Sequence, residues 1–276
     1  MRMTYFLTSL IIIGCILLTL LSNVLAEEPS FSAGKIMELV DGRYDGEAQE
    51  TDMTMVLIDK RGNKRIRQLK TFRKDDGKDS RNIIFFLKPA DVRDTAYLSY
   101  DWDASEKEDD AWLYLPALRK VKRIAGSDES GAFMGSDFSY ADINGLEIDD
   151  WQYRFAGDNQ QVDGFETWVI DGIPKSDRHQ TVVEETGYLK IRMWIRRDNY
   201  MIVKGQYWIK KGKKVKYFRA KEIRETQGIW TAYEMYMVTT VNGKKEHASI
   251  IKTGRAVYDN DLPETLFTTQ RMERGL

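Results

Sequence analysis

The chain has 276 residues and a formal net charge of −1, with 42 Lys and Arg against 43 Asp and Glu. That balance excludes the strongly basic footprint of a nucleic-acid binder, and 42% hydrophobic with 12% aromatic content excludes a disordered chain. A single cysteine, Cys15, excludes a disulfide framework.

Residues Phe6 to Leu21 form an almost unbroken apolar run, and Val24-Leu25-Ala26 precedes Glu27-Glu28-Pro29. This reads as a secretory signal peptide cut after Ala26, with an uncleaved membrane anchor as the alternative. Gly14-Cys15 loosely matches a lipidation site. However, Ile16-Leu17-Leu18 prolongs the apolar run, so Cys15 is read as a small hydrophobe of the leader. Removing the leader leaves roughly 250 residues with no Pro/Gly/Ser-rich linker, and one domain over 27–276 is expected.

The spacing of Ile36, Leu39 and Val40 predicts a helix over Phe31–Tyr44, ended by Gly42 or Gly46. Period-two patterns then take over. Met53, Met55 and Leu57 share one face of a strand. Arg61-Gly62-Asn63 turns it into a basic strand from Lys64 to Arg73. Ile83-Ile84-Phe85-Phe86-Leu87 is apolar on both faces, which predicts a central, covered strand. Strands follow at Thr95–Trp102 and on either side of Pro116, with an acidic surface loop over Asp103–Asp110.

In the second half, Leu189, Ile191, Met193 and Ile195 alternate with Lys190, Arg192, Trp194 and Arg196, as in a half-buried strand. Turns at Asp198-Asn199, Lys211-Gly212, Gln227-Gly228 and Asn242-Gly243 separate strands up to Tyr258. By the same parity Tyr233, Met235 and Met237 face inward. Leu262 to Phe267 reads as a short terminal helix. Ten or eleven antiparallel strands are too wide for a flat sheet, so a mainly β fold with a strongly curved antiparallel sheet is predicted. Its concave face is to be covered by the first helix and the segments around Pro89, Ala125–Asn144 and Leu262.

Catalytic signatures are weak. His179 and His247 read as exposed histidines, Gly135-Ser136-Asp137 lacks the second glycine of a nucleophile elbow, and phosphate-cradling glycine patterns are absent. Asp142 to Glu147 and Asp101 to Asp110 hold only fragments of a calcium loop and read as solvated turns. No enzyme, cofactor or metal is expected. Two basic clusters, Arg119, Lys120, Lys122 and Arg123, and Lys211, Lys213 and Lys214 beside Lys210 and Lys216, suit solvated turns or a docking surface for anionic headgroups or an acidic partner.

The run Trp112-Leu113-Tyr114-Leu115-Pro116-Ala117-Leu118-Arg119-Lys120-Val121-Lys122-Arg123-Ile124, followed by Phe133-Met134-Gly135-Ser136-Asp137-Phe138-Ser139-Tyr140-Ala141-Asp142-Ile143, resembles the hallmark of LolA/LolB-like outer-membrane lipoprotein-sorting proteins. The resemblance covers the chain from about Phe31 onward. It implies an unclosed β-barrel with a helical lid, a periplasmic location, and reversible binding and transfer of lipid or lipoprotein acyl chains between envelope membranes. It also implies a partner of the RND/MMPL exporter type. The residues alone allow the inward methionines to be ordinary core filler; the resemblance points instead to a pliable apolar cavity. Its lining would be Met53, Met55, Leu57, Leu189, Ile191, Met193, Ile195, Tyr233, Met235 and Met237, with Phe133, Met134, Phe138 and Tyr140 as the lid. A non-catalytic envelope scaffold or exporter accessory is the competing expectation.

Overall fold

The computed structural model describes residues 31–102, 109–211 and 213–276. The expected leader, its cut after Ala26, and Cys15 lie outside them. Fourteen strands form one antiparallel sheet that does not close: β1 (Ala48–Ile58), β2 (Lys64–Asp76), β3 (Asp79–Lys88), β4 (Ala96–Asp101), β5 (Asp110–Leu115), β6 (Lys120–Ile124), β7 (Trp151–Phe155), β8 (Gln160–Val162), β9 (Phe165–Pro174), β10 (Tyr188–Arg196), β11 (Ile202–Ile209), β12 (Lys214–Thr226), β13 (Ile229–Val241) and β14 (Lys244–Tyr258). The helices are α1 (Ala33–Asp41), α2 (Tyr140–Asn144), α3 (His179–Thr186) and α4 (Thr269–Arg274). Among the described residues, no helix is long and apolar enough to cross a membrane.

The strand order runs β6-β5-β4-β3-β2-β1-β14-β13-β12-β11-β10-β9-β7. The first and last strands pair at the middle, Ile58 opposite Ala248 and Gln49 opposite Tyr258. The chain therefore walks out to the β6 edge, then crosses to β7 at the far edge and walks back. Residues 125–150 make that crossing. Because neighbouring strands are joined by hairpins, local turn chemistry sets the register: Asn242 and Gly243 take φ of 51° and 74°, the left-handed pair a tight hairpin requires.

Side-chain parity distributes the core. One cluster on the inner face gathers Met55, Leu57, Leu69, Ile84, Phe86, Tyr97, Ile170, Ile191, Met193, Ile195, Met237 and Ile251, together with Ile36 and Met37 of α1 and Phe133 and Phe138 of the crossing segment. Ile83 and Phe85, one residue out of phase, point the other way, so β3 is buried on both faces as its sequence predicts. Their cover is Leu262, Leu266, Phe267 and Met272, which corrects the expectation that the Leu262 segment lies on the concave face. The short helix predicted there is one 3₁₀ turn, Glu264–Leu266, ahead of α4.

Other departures have plain causes. α1 is shorter than predicted, because the Gly42 N–H already closes onto Glu38 O at 2.9 Å. β7, β8, β9 and α3 were not legible. β9 is buried on both faces over much of its length, so it shows no alternation, and it carries Asp171, Gly172 and Pro174, residues that ordinarily end strands. Gly172 is required by contact: a Cβ there would sit 2.8 Å from Ile191 Cγ1. Gly172→Ala is expected to cost about 1–3 kcal/mol in urea unfolding. Gly254→Ala, whose new Cβ would meet Asp52 O at 3.4 Å, an ordinary contact, is expected to stay within about 0.5 kcal/mol of wild type.

Candidate functional site: the covered inner face

The segment from β6 to β7 crosses the inner face with its aromatic side chains turned down. Phe133 is wholly buried, its ring centroid 5.4 Å from those of Tyr97 and Tyr140 and 6.0 Å from that of Phe86. Phe138 is buried beside it, while Met134 and Tyr140 are half-buried against the same cluster. Edge-to-face aromatic contacts of this kind add about 0.5–1.5 kcal/mol each beyond burial. The lid residues predicted from sequence therefore meet the predicted strand faces, and in this structure the two are packed against each other.

Polar ties fix the segment along its length. The buried Asp137 takes hydrogen bonds from Ser249 Oγ (2.8 Å) and shares one with His247 Nδ1 (2.6 Å), and its own N–H donates to Ser249 Oγ (2.9 Å). Arg67 donates to Met134 O (2.5 Å) and lies over the Phe86 ring. Ser139 and Asp142 form a reciprocal capping box that starts α2. Asp142 Oδ1 accepts from Tyr188 OH (2.6 Å), its capping oxygen Oδ2 also accepts from Lys216 Nζ (2.9 Å), and Lys216 donates to Tyr188 OH as well (2.9 Å). Tyr97 OH donates to Asn144 Oδ1 (2.8 Å), whose amide donates to Glu129 Oε1 (3.4 Å). Burial of Tyr188, beside the Asp142 carboxylate, pushes its phenol well above the ordinary range.

Several expectations need correction. Leu189 is exposed, because a bulge between Tyr188 and Lys190 in the pairing with β11 puts Tyr188, not Leu189, on the inner face. Tyr233 is half-buried beyond the cluster, its hydroxyl 2.7 Å from Thr226 Oγ1 and its ring under Arg224. Met53 and Met235 pack against the inner cluster without being fully buried. Asp142 is no solvated turn, Lys216 no free tip lysine, and His247 no simple exposed histidine. For Lys216 and His247 the signal was parity: Lys216 shares its face with Phe218, and His247 and Ser249 share theirs with Ile251, toward the inside. Arg67 carries the same signal, two residues before Leu69 and opposite Met55, whereas Asp137, Asp142 and Glu129 had none.

Ser249, His247 and Asp137 have the composition of a hydrolytic triad but not its wiring. Both Ser249 and His247 bond the same carboxylate oxygen, Asp137 Oδ2, and Ser249 is fully buried. A nucleophilic serine must donate its hydroxyl proton to the imidazole. Among the described residues, carboxylates that could hold a metal converge at Asp101, Asp109 and Glu147, whose oxygens lie within 4.8 Å of one another, with Asp101 and Asp109 half-buried. Burial, then their mutual repulsion, raises Asp101 to about 6 and Glu147 to about 7.

Most of the predicted basic residues fall at one end of the sheet. Leu115 pairs with Lys120, Ile58 with Lys64, Val241 with Lys244, and Lys214 with Val241. Strand direction places these turns together: Arg119 and Lys120, Lys60 to Arg65, Lys244 and Lys245, and Lys211, Lys213 and Lys214. Lys122 is exposed on edge strand β6, while Arg123 pairs with Asp110 at 2.7 Å. The opposite end carries Asp75, Asp76, Asp79, Asp101, Asp109, Asp259 and Asp261.

An unclosed antiparallel sheet bridged edge to edge across its inner face defines a LolA-type half-barrel. A family model described as an uncharacterized protein matches residues 78–274, and the chain belongs to that family. No curated protein matches. The structure is similar to a domain from Vibrio parahaemolyticus described as an outer membrane lipoprotein-sorting protein, at 25% identity and a TM-score of 0.77, over 88% of this chain and 98% of that one. It is also similar to a DUF1329 family protein from Desulfovibrio piger, at 29% identity and a TM-score of 0.75, over 87% and 96%. The LolA superfamily protein NE2245 from Nitrosomonas europaea shares the fold, at 18% identity and a TM-score of 0.65, over 88% and 100%.

The cover carries a pH dependence. Burial, then the charges of Asp109 and Glu185, raise Glu129 from the ordinary 4.5 to about 7, with Asn144 opposing. The native state holds that proton more tightly than the unfolded chain. The extra stability is therefore fully present below about pH 4.5 and is lost as pH rises through about 7. The Ala141 amide, which donates to Glu129 O, is expected to exchange faster at about pH 8 than at about pH 5 after correction for the intrinsic rate. Glu129→Gln is expected to flatten that difference.

Proposed function

We propose that the protein is a periplasmic carrier that reversibly binds a lipid, or the acyl chains of a lipoprotein, on the inner face of its half-barrel and passes them between envelope membranes. The mature protein on this reading is one carrier domain, residues 27–276, delivered by cleavage after Ala26. The observation that carries it is the build of the crossing segment, apolar underneath and tied by hydrogen bonds and ion pairs at several points. Acyl chains gain about 0.8 kcal/mol per buried methylene, and a ligand that enters must replace the contacts Phe133 and Phe138 make now. Met55, Met193 and Met237 on the facing wall, with Met235 beside them, have thioethers that repack around varied shapes. The basic end suits contact with anionic membrane surfaces, and an RND/MMPL-type transporter is the proposed protein partner. The wiring of Ser249, His247 and Asp137 supports a role without covalent chemistry.

A second reading, a scaffold or exporter accessory with a permanently filled core, is favoured by the tight packing of the inner face in this structure. The two separate in a locking experiment. The side chains of Asp137 and Ser249 face each other, Oδ2 to Oγ 2.8 Å, so Asp137→Cys with Ser249→Cys is chosen to tether the cover to β14 by a disulfide. The oxidised variant is expected to lose saturable uptake of a fluorescent fatty acid, and reduction to restore it. Equal uptake in both states rejects the cover as the gate. No saturable uptake by the wild-type protein rejects the carrier and leaves the scaffold.

A further inference from the structure

A cleft of about 370 Å³ opens at the basic end, between the end of α3, the turn before Gly131 and the β11–β12 hairpin. Its cationic wall is Lys210, Lys211, Lys214 and Lys216, with Ser127 and Ser130 opposite. Among the described residues, no carboxylate pairs with Lys210, Lys211 or Lys214. The single acidic residue of the lining, Glu184, is held by Gln180 Nε2 at 3.1 Å. Three carbonyls at or beside the α3 terminus already have donors. Thr186 Oγ1 donates to Val182 O, the Gly187 N–H to Val183 O and the Lys210 N–H to Gly187 O. Val183, Tyr188 and Ile209 give the floor an apolar margin.

Lys216 joins this cleft to the cover. It lines the cleft, its residue is 8% exposed, and its ammonium is the cation that holds Asp142 of α2. We propose that the cleft binds a phosphate mono- or diester anion, such as a lipid headgroup carries, and that this anion competes with Asp142 for Lys216 and loosens the cover. The coupling rests on the carrier reading; the site itself does not. Three lysines without a carboxylate partner, Lys216 and two serines lining a space of this size suit tetrahedral oxyanion recognition. A buried ion pair that loses one partner is costly, so an anion delivered to Lys216 shifts the cover toward release.

The test uses the full mature chain at about 0.15 M salt, the ionic strength at which exposed charges are well screened. Inorganic phosphate, monomeric dihexanoyl phosphatidylglycerol and zwitterionic dihexanoyl phosphatidylcholine are titrated against backbone amide NMR. Saturable shifts at Gly187 and Lys210 with the first two ligands, weakened about tenfold by Lys210→Ala with Lys214→Ala, support the site. Phosphate acting without phosphatidylglycerol assigns it to a soluble ester, and tighter binding of phosphatidylglycerol assigns it to a headgroup. Exchange of the Asp142 amide is expected to rise about fivefold when the site is filled. No saturable shift with any ligand, or unchanged affinity in the double variant, overturns the site, and saturation without faster exchange overturns the coupling. Anion binding without fatty-acid uptake removes the carrier reading and leaves the site; uptake without anion binding does the reverse.

Discussion

One topological constraint governs this molecule: a sheet that begins and ends at its own centre must send the chain from one free edge to the other. β1 and β14 pair in the middle, so β6 and β7 lie at opposite margins. The short way between them runs over the concave face. The backbone of that passage would be buried without a ladder, and its polar groups must be satisfied some other way. Arg67 donates to Met134 O, Ser249 Oγ accepts from the Asp137 N–H, and the side chains of Ser139 and Asp142 accept from each other's N–H, which explains why so polar a stretch lies over an apolar wall.

The two kinds of contact under the passage differ in how they can be exchanged. Apolar contacts with Phe133 and Phe138 are non-directional, and hydrocarbon of almost any shape can substitute for them. The ties at Asp137 and Asp142 are directional and charge-assisted, and breaking one side of a buried pair costs about 3–5 kcal/mol. On the carrier reading proposed above, opening would depend on the ties more than on the aromatic plug. The ties sit on different strands, β14 for Asp137 and β10 with β12 for Asp142, so one end can let go while the other holds.

The sequence was legible where chemistry is local and periodic. Alternation in β1, β10 and β13 placed Met55, Leu57, Ile191, Met193, Ile195 and Met237 on one face, and the double-sided Ile83–Leu87 run marked a covered strand. Alternation failed at Leu189, where a bulge reversed the phase, and over 151–174, where burial on both faces erased it. Charged residues were the larger loss. Asp142 and Lys216 look like surface residues because what buries them is a contact 74 positions apart in sequence. The hallmark run located the cover, but its anchors became visible only once β10, β12 and β14 were in place.

A net charge of −1 conceals how unevenly the charges are laid out. Cationic hairpin tips crowd one end, whereas at the other end Asp75, Asp76 and Glu264 are paired with Arg73, Lys74 and Arg81, so positive charge is laid out unevenly along the strands. Near a negatively charged bilayer such a body feels a torque before it feels a net pull, within the roughly 8–10 Å that ions in solution allow. It would arrive tip-first rather than at random, turning a search over all orientations into one over a narrow cone.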